Sequence, residues 1–106
     1  MIKAVFESDK GGFVGFKMSG HAGYADEGED IACAAVSSAA MLICNTATDF
    51  FLIPCKVEAV ENLLTLEAEP IITKAQRDIL DKLLASFKSH LAAIDEGFGC
   101  IKISEK

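Results

Sequence analysis

Asp30-Ile31-Ala32-Cys33-Ala34-Ala35-Val36-Ser37-Ser38-Ala39-Ala40-Met41 opens the stretch that decides how this chain folds, because from Ile31 to about Leu52 nearly every residue is apolar or small. A run of that length without alternation reads as a helix buried on most of its faces. Asp30 is placed to be its N-cap, and Pro54 ends it by pushing the preceding residue out of the helical region. Helical spacing keeps Asp30, Cys33 and Ser37 within about 60° of one another, a polar stripe on an otherwise apolar cylinder.

On the N-terminal side, Ile2, Ala4 and Phe6 alternate with polar neighbours, and Val14, Phe16 and Met18 repeat the period beyond the turn-rich Ser8-Asp9-Lys10-Gly11-Gly12. This predicts a β-hairpin whose second strand runs out at Ser19-Gly20. On the C-terminal side, Cys55 to Val60 and Leu63 to Ala68 predict a second hairpin turning through Glu61-Asn62. Thr73-Lys74-Ala75-Gln76 fits a capping box, and Ile79, Leu80, Leu83, Leu84, Phe87, Leu91 and Ile94 then follow helical spacing. Gly97 is placed to cap that second helix, and Cys100 to Ser104 supplies a last short strand. The expected fold is α+β: a mostly antiparallel sheet from two hairpins plus a C-terminal strand, packed with two helices.

The 106 residues, 51% hydrophobic and 25% charged with two prolines, describe one domain spanning residues 1–106 around a single core. A net charge of −6 opposes direct nucleic-acid binding, which rests on Lys and Arg displacing counterions. Charge of that sign speeds encounter with a basic protein. No membrane partner is expected, since apolar runs are interrupted before they reach a bilayer's span, and the N-terminus lacks a signal-peptide core. The expected location is therefore cytoplasmic. There the four cysteines, Cys33, Cys44, Cys55 and Cys100, stay reduced, and their spacing contains neither C-x-x-C nor a paired zinc pattern, so no metal or other cofactor is expected.

Chemistry concentrates where the first hairpin hands over to the apolar helix. With Asp30 as N-cap, Cys33 falls at the third helical position, where unpaired N–H groups and the helix dipole favour thiolate. His21, twelve residues earlier at the end of a strand, is the only histidine near it in sequence. The glycines and carboxylates between them suit a surface loop, with Gly23 and Gly28 as hinges of a lid. Each residue also has a plainer role. On that reading Cys33 packs as a small hydrophobe, His21 is a loop or core histidine with its ring nitrogens satisfied, Asp30 is only a cap, and Ser37 bonds back to the Cys33 carbonyl. Cys44, Cys55 and Cys100 read as structural, and His90 on the second helix as surface or structural rather than catalytic. The acidic loop residues Asp26, Glu27, Glu29 and Asp30 do not follow a calcium-loop pattern.

Gly20-His21-Ala22-Gly23, followed by Gly28-Glu29-Asp30-Ile31-Ala32-Cys33-Ala34-Ala35-Val36-Ser37, resembles the signature of the ribosomal-processing cysteine protease family known as Prp. The one evident departure is Ala32 where valine is usual, and the resemblance is carried by residues 20–38. It implies a cysteine endopeptidase that removes the N-terminal extension of a large-subunit ribosomal protein, cutting after an aromatic residue. It also implies a homodimer and a loop that rearranges around substrate. By position, Cys33 is then the nucleophile and His21 its base, while Asp30 and Ser37 support the site and Gly20 keeps the backbone close to substrate. The competing expectation is a non-catalytic dimeric α+β module that binds a ribosomal or assembly partner. A third is a cysteine-dependent hydrolase or transferase acting on a small molecule, using the same dyad in a deep enclosed pocket.

Overall fold

The computed structural model describes residues 1–20 and 27–106, with side chains in the second stretch from Ile31 onward. Its elements run β1 (Ile2–Asp9), β2 (Gly12–Ser19), α1 (Glu27–Asn45), a π-helical turn (Thr46–Phe50), β3 (Cys55–Val60), β4 (Leu63–Ala68), α2 (Lys74–Phe98) and β5 (Ile101–Glu105). Both expected hairpins form, and the sheet order is β3-β4-β2-β1-β5. Every neighbouring pair is antiparallel except β1 with β5, which run parallel. The α+β reading holds.

Alternation along the strands decides which face is covered. Ile2, Ala4 and Phe6 of β1 are buried, as are Phe16 and Met18 of β2 and Leu66 of β4, and register sets Phe16 beside both Phe6 and Leu66. The opposite face carries Lys3, Glu7, Lys17, Lys56, Glu58 and Glu67, all exposed. Both helices therefore lie on one side and the other faces solvent, a two-layer arrangement. Phe87 of α2 closes an aromatic cluster, with ring centroids 5.8 Å from Phe6 and 5.1 Å from Phe16, both edge-on.

A bulge between Glu7 and Ser8 corrects the first hairpin. Gly15 pairs with Glu7 and Phe13 with Ser8, so Val14 is the extra residue and Phe13 turns to the helix side. Phe13 then meets Phe6 edge-on at 5.7 Å, the place that strict alternation gives to Val14. Asp81 of α2 accepts the Phe13 N–H at 2.8 Å and fixes the irregularity.

The capping box of α2 forms as read: Gln76 N–H donates to Thr73 Oγ1 at 3.1 Å, and Thr73 N–H to Gln76 Oε1 at 2.9 Å. Its C-cap is Gly99 at φ 65°, two residues beyond the expected Gly97, which lies within the helix. Asp95 Oδ1 accepts the Ile101 N–H at 2.8 Å and leads the chain into β5.

α1 differs from its sequence reading in two ways. It begins at Glu27, so Asp30 is its fourth residue rather than its N-cap. It is also buried along a stripe rather than nearly all round. Ala32, Val36, Ala40 and Cys44 face the core, while Ile31, Met41 and Leu42 are exposed, because α2 is the one separate element that packs closely along α1. By length and composition Ile31–Phe50 is apolar enough to cross a membrane, contrary to the expectation that no run reaches that span. Only 28% of that segment is buried inside the fold, along the stripe that faces the core. The segment stops where Leu52 takes a left-handed φ of 52°, two residues before Pro54.

Candidate active site

β2, α1 and the β3–β4 turn meet at one end of the sheet. β2 ends at Ser19, opposite Leu63 of β4, and the next residue, Gly20, donates its N–H to the Asn62 carbonyl at 3.1 Å. Asn62 carries the hairpin turn with a φ of 62°, a conformation its short polar side chain tolerates. Gly20 has a φ of 78°, and a Cβ there would stand 2.7 Å from the Met1 carbonyl oxygen. Its glycine is thus demanded by the first residue of β1's approach as well as by any role toward a substrate.

On α1, Cys33, Ser37 and Met41 follow one another at four-residue spacing, on the flank turned away from α2. Cys33 is half-buried and packs against the edge of the core, whereas Ser37 and Met41 are exposed. Ser37, Met41 and Gly20 share a groove of about 300 Å³ with Met18, Leu64 and the residues around the Asn62 turn. Two of the supporting residues read from sequence, Gly20 and Ser37, are therefore brought together, one helical turn from Cys33. His21, Gly23 and Asp26 lie outside the described residues, as do the side chains of Glu27, Gly28, Glu29 and Asp30.

The earlier helix start changes the electrostatics expected at Cys33. As the seventh residue of α1 it sits about 9 Å along the axis from the first, and only the first four N–H groups of a helix lack internal partners. Unpaired donors therefore belong to the turn before Cys33, and the dipole's influence on its thiol is weaker than third-position placement would give.

The other cysteines are poorly placed for nucleophilic work. Burial, followed by the neighbouring Cys55, pushes the Cys44 thiol up to about 11. Burial and then Glu69 push Cys55 up to about 11 as well. Cys100 is buried, 3% exposed, at the start of β5. His90 is exposed on α2, beside a second groove on the other flank of α1 lined by Ser38, Leu42 and Phe87. Among the described residues no group of three or more His, Cys, Asp or Glu side chains is arranged to hold a metal.

The sequence profile of the family described as Cysteine protease Prp matches residues 1–100. The chain belongs to the Prp family. It is a cysteine protease by that membership, and its fold agrees. The essential ribosomal processing protease Prp from S. aureus, crystallised in complex with a substrate peptide, superposes with a TM-score of 0.84 at 17% identity, each chain covered over 100% of its length. The same S. aureus protease with a covalently linked product peptide gives 0.82 at 20% identity, again with 100% of both chains covered. A protein from Streptococcus mutans gives 0.73 at 26% identity, covering 100% of this chain and 96% of its own. No curated protein sequence matches the chain.

Sequence reasoning missed the Prp chain's hairpin turn as part of this region. Asn62 was legible only as a turn residue, since nothing local signals that its carbonyl holds the strand end before His21. The apolar groove wall was likewise hidden, because Met18, Met41 and Leu64 read individually as core.

Proposed function

We propose that this Prp family member is an endopeptidase that removes the N-terminal extension of a large-subunit ribosomal protein, cutting after an aromatic residue. The observation that carries the reading is the convergence of Gly20 and Ser37 on an open groove beside the Cys33 stripe, in a chain of a cysteine protease family. An open groove admits an extended peptide more readily than the enclosed pocket that a small-molecule hydrolase needs. The S. aureus relative, described as a ribosomal processing protease, supplies the substrate class.

Cys33 is the nucleophile in this reading and His21 its general base. His21 takes the thiol proton as sulfur attacks the scissile carbonyl, and a C–S bond replaces the C–N bond in the acyl-enzyme. His21 then returns the proton to the departing amine, and a water activated by the same imidazole hydrolyses the thioester to restore the thiol. Ser37, exposed one turn beyond Cys33, is a supporting polar group at the groove, and Asp30, one turn before it, occupies the same helical stripe.

The protein works in the cytoplasm, where a catalytic thiol stays reduced. It works as a homodimer, for which exposed apolar residues such as Leu42 and Phe50 offer surface. The net charge of −6 suits a basic ribosomal protein as substrate.

Incubating the purified protein with the extended ribosomal protein of the same cell, and weighing the products by mass spectrometry, tests the proposal. A single cut after an aromatic residue is expected, and Cys33→Ala should slow it by at least roughly 10³-fold. An uncut substrate, or cutting that survives Cys33→Ala, sinks it.

A further inference from the structure

Among the described residues, the last backbone tie before His21 comes from an element distant in sequence. Pairing of β2 ends at Ser19 opposite Leu63, and the Gly20 N–H then donates to the Asn62 carbonyl at 3.1 Å. The β3–β4 hairpin turns through Glu61 and Asn62 alone, since Val60 pairs with Leu63, and of those two Asn62 takes the positive φ, 62°. The carbonyl that holds Gly20 therefore belongs to a residue in a conformation that most side chains resist and that Asn accepts. From the other side the Met1 carbonyl oxygen stands 2.7 Å from where a Gly20 Cβ would be. The backbone at Gly20 is thus held between the start of β1 and the hairpin turn, and chain geometry places the next Cα, that of His21, only about 3.8 Å away.

We infer that Asn62 is a positioning residue for the protease: its left-handed turn conformation holds the Gly20 backbone and, through it, sets where the His21 imidazole stands relative to Cys33. The inference rests on the endopeptidase reading above, in which His21 is the base, and adds a residue that acts on that base from another element. A base misplaced by about 1 Å from the group it serves loses roughly 10²-fold in rate. Any residue that takes the turn angle without strain can do this work, and Gly is the one that does so most readily.

Two variants separate the turn's conformation from the side chain. Asn62→Val resists the left-handed angle, whereas Asn62→Gly accepts it and removes the carboxamide that lines the groove. With the extended ribosomal protein as substrate, Asn62→Val should lower kcat by about 10–100-fold while KM changes by no more than about threefold. Asn62→Gly should restore roughly half or more of the wild-type kcat. Amide exchange read by NMR should find the Gly20 N–H protected in the wild type and in Asn62→Gly, and unprotected in Asn62→Val. Circular dichroism checks that Asn62→Val is folded; if it is not, Asn62→Ala carries the same expectations with a smaller loss.

The alkylation rate of Cys33 by iodoacetamide at pH 7 reads the dyad without substrate. It should fall in His21→Ala, and in Asn62→Val it should fall toward the same value. An unprotected Gly20 N–H in the wild type, or a kcat indifferent to Asn62→Val, would overturn the positioning role. So would an equal loss in Asn62→Gly, which would assign the carboxamide a direct contact with substrate. Alkylation and exchange that follow Asn62 as expected, in a protein whose wild-type form cuts nothing, would keep the positioning role and overturn the endopeptidase reading. Cutting by the wild type with kcat and alkylation both indifferent to Asn62→Val would do the reverse.

Discussion

Gly20 shows how much one residue can be asked to do at this site. Its left-handed φ and the nearby Met1 carbonyl leave no room for a side chain, and its N–H is held by the Asn62 turn. Gly20→Ala should therefore lower stability by about 1–3 kcal/mol, read as a shift in the urea midpoint with unchanged slope. A neutral result would mean that the strand end relaxes without cost. The sequence motif singles out Gly20 for a role toward substrate, whereas the reason visible in structure is contact with the chain's own backbone, and a motif carries no trace of that. Cys33 was equally legible as a residue. Its electrostatic setting was not, because Asp30 looks like a cap and only the three helical residues before it reveal the earlier start.

Elements were read more securely than their ends. The second hairpin lies where the pattern of Cys55–Val60 and Leu63–Ala68 places it, and the Thr73–Gln76 box closes as written. Both signals are local, made between residues within a few positions of one another. Thr73→Ala should cost about 1 kcal/mol in thermal or denaturant unfolding, since it strips the Gln76 N–H of its acceptor at an exposed helix start. Features fixed by distant partners escaped. Phe13 displaces Val14 because Asp81, 68 residues away, holds the bulge, and Gly99 rather than Gly97 ends α2 while Asp95 receives β5. The buried fraction of α1 was overestimated for a related reason: composition says that a helix is apolar, whereas the number of neighbours it touches is a property of the assembled layers.

Across the whole molecule, the two thiols held up to about 11 make stability depend on alkaline pH. The unfolded chain releases these protons near the ordinary thiol value of 9, whereas the folded chain keeps them to about 11. Between those values the unfolded state binds fewer protons, so unfolding free energy falls as pH rises. The denaturation midpoint should decline from pH 9 to 11, and Cys44→Ala with Cys55→Ala should flatten that decline. Iodoacetamide at pH 8 should leave both thiols largely unmodified until the protein is unfolded, with alkylation sites read by peptide mass mapping.

The parallel pairing of β5 with β1 joins Ile2 to Ile101 and Ala4 to Ile103. During synthesis, β1 leaves the ribosome almost a hundred residues before the strand that will cover its outer edge. At translation rates of roughly 5–20 residues per second, that edge waits on the order of 5–20 seconds. The first hairpin and α1 can assemble in the meantime, but the sheet cannot be completed. For an enzyme proposed to trim ribosomal proteins, its own last strand is thus a timer: the fold that carries Cys33 closes only after translation has passed through β5.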